Sequence, residues 1–139
     1  MTAATRITSL RYVMIATGAI FAFGIYPLTQ LWPAGWVWNA GQPSHYRMMI
    51  IGVYFVLGLC LLAASREPLA NRSLIWFTVW SSVLHSVVMA VEAGMDPLER
   101  GHLIGDVPAL LLVGIALAAL TPRAATVTVS PSVGARRAA

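Results

Sequence analysis

A chain of 139 residues and 14.9 kDa is one domain by length, and it is 58% hydrophobic but only 10% charged, with a mean hydropathy of +0.75. A soluble domain carries about 25% charged residues, and a small one must keep a polar exterior, so a soluble globule and a polar disordered chain are both excluded. The nine basic residues are all arginine and give a net charge of +4, yet they stand singly or in one pair and form no patch that would hold nucleic acid.

Four apolar stretches follow in chain order, over residues 10–28, 48–64, 73–91 and 103–121. Each is near the ~20 residues that carry a helix across a ~30 Å hydrocarbon core. Their runs are too long and too continuous for barrel strands, which alternate apolar and polar residues. The expected fold is therefore an all-α membrane protein, a bundle of four transmembrane helices over residues 1–121.

The punctuation between the stretches supports these bounds. Pro27 ends or kinks the first helix, and Ser44 is placed to cap the second. Glu67-Pro68 follows the second, Asn71 or Ser73 can cap the third, and Ala93-Gly94 suits its end. Asp96-Pro97-Leu98-Glu99 reads as a helix start, with Asp at the cap, Pro at the first position and Glu at the third. That start puts residues 97–120 in one helix of about 24 residues, long enough to span with some tilt. The last residues, 122–139, are small residues, Thr, Ser, Pro and Arg, a composition that predicts a disordered tail.

Arginine placement sets the orientation. Arg6, Arg11, Arg66, Arg72, Arg123, Arg136 and Arg137 fall on one side of a four-span chain, and only Arg47 and Arg100 on the other. The positive-inside rule then puts both termini in the cytoplasm of a cell with an inner membrane. Arg6 and Arg11 before an apolar run also resemble a signal peptide, but the run is long and no clean small-x-small site follows it. The outer first loop holds Trp32, Trp36 and Trp38, which read as anchors at the membrane interface, with a ligand surface as the less favoured reading.

Ionisable residues inside spans are functional candidates by default. Here they gather at one end of the last two stretches as His85, Glu92, His102 and Asp106. At ~1.5 Å of rise per residue, Glu92 comes level with His102, and His85 comes within about one turn of Asp106. Pro108 cannot donate to the carbonyl of Ile104, which leaves that oxygen free beside Asp106. Gly101 and Gly105 permit a close approach by another helix. Three uses are open to this cluster: interhelical hydrogen bonding, a proton or small-ligand path, and a metal site, since imidazole with carboxylate suits Zn, Fe, Mn or Cu. No established metal or hydrolase motif is present, Cys60 is alone, and the sequence names no cofactor.

The stretches Tyr54-Phe55-Val56-Leu57-Gly58, Ala64-Ser65-Arg66-Glu67-Pro68, Trp80-Ser81-Ser82-Val83-Leu84-His85 and Val88-Met89-Ala90-Val91-Glu92 resemble the small four-span bacterial membrane proteins of the BphX-like type. The resemblance runs over about residues 10–121 and implies a multi-pass protein of the bacterial inner membrane. That family is associated with aromatic-hydrocarbon gene clusters and has no settled biochemical role, so no catalytic residue carries over. The expected function is a small accessory or hydrophobic-ligand-binding membrane protein. The alternatives are a metal-dependent or redox membrane enzyme using the cluster, and a purely structural assembly subunit. The expected partners are the lipid bilayer and either a second copy or another membrane protein.

Overall fold

The computed structural model describes residues 2–38 and 45–122, with the side chain of His45 left out. The expected cap at Ser44 and the tail beyond Pro122 lie outside the described residues. Among those described, every regular element is helical. Four helical segments are long and apolar enough to cross a membrane: Ala3–Leu31, Tyr46–Ala64, Arg72–Met95 and Pro97–Leu120.

The first span is built of α1 (Ala3–Ala19), one wide π turn (Ile20–Gly24) and α2 (Ile25–Leu31). Pro27 does not end it. Proline has no N–H to give the carbonyl four residues back, and the turn before it opens into the π form while the helix continues to Leu31. The second span is α3 (His45–Ala64) and the third is α4 (Arg72–Met95). The side chain of Asn71 stands at the start of α4 but donates to the Glu67 carbonyl at 3.0 Å, and so closes the preceding turn.

The fourth span departs from the single helix expected over 97–120. Asp96 caps its start as expected, accepting from the Leu98 N–H at 2.9 Å. The chain then winds as a 3-10 helix (Pro97–Leu103), breaks at Ile104-Gly105, and restarts as α5 (Asp106–Leu120). Pro108 lies in the first turn of α5, where a missing N–H costs nothing. The break therefore falls where the sequence already lacks an i to i−4 donor. Irregular backbone at membrane depth is tolerated where it is buried in protein or lines a cavity.

The helices pack in the order α3, α1, α5, α4, with α4 and α5 in the most extensive contact. Leu10, Met14, Phe21, Ile25, Leu61, Ile75, Val79, Leu110 and Leu117 form the shared core. The outer faces carry large apolar side chains such as Met49, Val53, Phe77, Leu84 and Ile115, all exposed, as expected where lipid is the solvent. Small residues let backbones meet. A Cβ on Gly58 would lie 2.5 Å from the Ala22 nitrogen and 2.6 Å from the Gly18 oxygen, so α3 crosses the first span there backbone to backbone.

Two arginines counted above for topology also close helix ends. Arg6 donates from Nε to the Leu120 carbonyl at 3.1 Å and from Nη2 to those of Ala119 and Thr121 at 2.7 and 3.2 Å. Arg11 does the same for the end of α3, reaching the carbonyls of Ser65 and Arg66 at 3.0 and 2.8 Å. A cation at a helix C-terminus satisfies orphan carbonyls and meets the negative end of the macrodipole. Arg6→Ala should cost about 1 kcal/mol in a partly exposed setting, with Arg6→Lys recovering part of it. Thermal denaturation in mild detergent checks this, and equal stability of Arg6→Ala and wild type would contradict it.

Candidate functional site

The loop after α2 builds one end of the bundle. Its 3-10 turn (Pro33–Gly35) sits on the 3-10 helix of the fourth span. A Cβ on Gly101 would collide with the backbone of Ala34, and one on Gly105 with that of Gly35. The two glycines thus admit the tryptophan loop and not another membrane helix. Trp32 covers Gly35 and is 39% exposed. Trp36 packs against the core, and Trp38 holds its ring 6.2 Å from the His102 imidazole.

Beneath this loop lies a cavity of about 670 Å³, partly open to its surroundings. Its walls come from α2 (Ile25, Thr29), the loop (Trp36, Val37, Trp38), α3 (Tyr46, Arg47, Ile50, Ile51, Tyr54), α4 (His85, Met89) and the fourth span (His102, Asp106, Leu110). It exists because α3 and α4 stand at opposite ends of the packing order, with little close backbone contact between them. Most of the lining is apolar, and the polar groups converge on one wall.

That wall is a continuous run of titratable side chains. The Tyr54 hydroxyl lies 3.3 Å from His85 Nδ1. His85 Nε2 lies 3.8 Å from Asp106 Oδ2, and the same oxygen lies 3.0 Å from His102 Nδ1. His102 Nε2 in turn lies 3.3 Å from Glu99 Oε2. Phenol, imidazole, carboxylate, imidazole and carboxylate therefore alternate from α3 through α4 and α5 into the 3-10 helix. A neutral imidazole carries one N–H, so His102 between two carboxylates either holds a second proton or faces one protonated acid. The wall can in this way hold a proton.

His85, His102 and Asp106 are thus brought together, as their spacing implied. Glu92 joins none of these contacts, and Glu99 stands at His102 in its place. The reason is the 3-10 winding, which has three residues per turn and stacks Glu99 directly over His102. Tyr54 and Arg47 were missed, although Arg47, Ile50, Ile51 and Tyr54 mark one face of α3 at helical spacing. The Ser86 hydroxyl lies 2.9 Å from the Ser82 carbonyl and 3.1 Å from the Val107 carbonyl, and its one proton, shared between them, ties α4 to the start of α5.

Among the described residues, no group of three His, Cys, Asp or Glu side chains is arranged to hold a metal ion. His102 points its two nitrogens at different carboxylates, and Asp106 Oδ2 itself fills the space between the imidazoles. Several buried polar atoms nevertheless lack an in-line hydrogen-bond partner: Trp36 Nε1, both His102 nitrogens and Asp106 Oδ1. Such atoms are rare in native proteins, and each calls for an explanation.

Fold and site together define an all-helical protein with four candidate membrane spans and an apolar cavity backed by a buried His–carboxylate run. Residues 4–139 match DUF6632, a family of unknown function, and the chain belongs to that family. An uncharacterised family over nearly the whole chain is thus shown, and the match does not point to the BphX-like type specifically. No curated protein matches the chain, and no solved structure does.

Proposed function

We propose that this protein is a membrane receptor or accessory protein that binds a small hydrophobic molecule in the cavity between α3 and α4. The observation that carries this reading is the cavity itself. Its volume of about 670 Å³ lies in the range of small-molecule sites, and its lining is mostly apolar with a few convergent polar groups. A purely structural role for the His–carboxylate run would call for close packing at that point rather than an open space. The reading is tested by thermal denaturation in mild detergent with 1-decanol as the probe. Saturable binding raises the midpoint, because a ligand that binds only the folded state stabilises it. Met89→Trp, which intrudes into the cavity from α4, should weaken the shift without unfolding the protein. An unchanged shift in that variant would place the binding elsewhere.

The same reading puts the protein in a bacterial inner membrane with both termini in the cytoplasm. The support is the distribution of seven arginines against two and the resemblance given above. Alkaline phosphatase fused after Gln42 should be active, and fused after Arg123 inactive. Activity of the second fusion would overturn the orientation.

A further inference from the structure

Among the buried atoms of the cavity wall that lack an in-line partner, the two His102 nitrogens face carboxylate oxygens at 3.0 and 3.3 Å, whereas Trp36 Nε1 and Asp106 Oδ1 have no hydrogen-bond partner. Trp36 Nε1 is an N–H without a partner, and Asp106 Oδ1 is a carboxylate oxygen without one. Both side chains line the same cavity, and Asp106 is only 5% exposed. An indole N–H can only donate, and an ionised carboxylate can only accept. A ligand head that answers both must accept one hydrogen bond and donate another. An ammonium only donates and leaves the indole unmet. A carboxylate only accepts, and it leaves Asp106 Oδ1 unmet. A hydroxyl meets both needs with one atom.

We infer that the occupant of this cavity is a neutral amphiphile headed by a hydroxyl group, its oxygen accepting from Trp36 Nε1–H and its O–H donating to Asp106 Oδ1, with an apolar body along the α3 and α4 walls. This rests on the ligand-binding reading above and narrows it to a chemical class. The assignment requires the indole and the carboxylate to turn so that both atoms face the head. Binding removes two orphan groups at once, and a buried unmade hydrogen bond is more costly than a made one is favourable.

The test compares 1-decanol, decyl methyl ether, decane, decylamine and decanoate on the unmodified protein in mild detergent. Affinities are taken from midpoint shifts and corrected for partition into the detergent. The alcohol should bind about tenfold more tightly than the ether, which accepts but cannot donate, and the decane should be weaker still. Trp36→Phe keeps the ring and loses the N–H, and should weaken the alcohol about fivefold. Asp106→Asn keeps an acceptor oxygen and should retain most of the preference for alcohol over ether, which Asp106→Leu should lose. Equal binding of alcohol, ether and decane would overturn the hydroxyl assignment and leave hydrophobic binding standing. Tighter binding of decylamine or decanoate would overturn it in favour of a charged head. No binding of any probe would overturn the ligand-binding reading as well. The probe series needs no substitution, so failure of a variant to fold leaves the inference open to refutation.

Discussion

Gly105→Val should be among the most damaging single substitutions in this protein. Gly105 stands at the break in the fourth span, and any Cβ there enters the backbone of Gly35 in the tryptophan loop. Backbone cannot turn aside as a flexible side chain can, so either the loop lifts or α5 shifts. Overpacking of this kind costs about 1–3 kcal/mol, and a clash with backbone belongs at the upper end. The effect should reach the cavity too, because the displaced loop carries Trp36 and Trp38 away from its wall. Thermal denaturation and quenching of tryptophan fluorescence by acrylamide read the two consequences separately. Gly94→Val is the control, since a Cβ at Gly94 meets nothing within 4 Å. Equal stability of the two variants would show that the loop does not seat on the fourth span.

The second large effect is expected at Asp106, whose Oδ2 serves two imidazoles. Asp106→Leu takes the carboxylate oxygen at 3.0 Å away from His102, itself 1% exposed. One of these contacts crosses to α4 and the other lies within the fourth span; hydrogen bonds between membrane helices average ~0.6 kcal/mol with a maximum near 1.7, so on that scale the loss of both should cost about 1–2 kcal/mol. His102→Leu combined with Asp106→Leu should cost less than the sum of the single changes, because the pair removes the orphaned group along with its partner. The check is a double-mutant cycle of unfolding in detergent. Strict additivity would mean that the two side chains do not interact.

The spans were legible in the sequence because the physics that selects them is one-dimensional. Hydropathy over about twenty residues needs no partner, and the Asp96-Pro97 start is a local signal that the structure keeps. His85, His102 and Asp106 were legible for a related reason, since charge inside an apolar run stands out whatever it touches. What was not legible depends on neighbours. The 3-10 winding of Pro97–Leu103 is held by the loop packed against it, and that winding exchanges Glu92 for Glu99 at His102. The π turn before Pro27 is another case, because a missing N–H can be absorbed by widening a turn as well as by stopping a helix. Tyr54 was hidden by its chemistry. A tyrosine counts as apolar in a hydropathy window, and only the proximity of His85 makes its hydroxyl part of the site.

Photo-crosslinking tests the central claim most directly, that the space between α3 and α4 is a ligand site. A long-chain alcohol carrying a diazirine in its tail is irradiated with the protein in mild detergent, and labelled residues are located by mass spectrometry. The account predicts saturable labelling at Ile50, Ile51 and Met89, suppressed by excess 1-decanol and, at Ile50 and Ile51, reduced in Met89→Trp. Labelling confined to the outward faces, at Val53, Val56, Leu84 and Val88, and undiminished by competitor, would mean that the molecule only dissolves around the bundle.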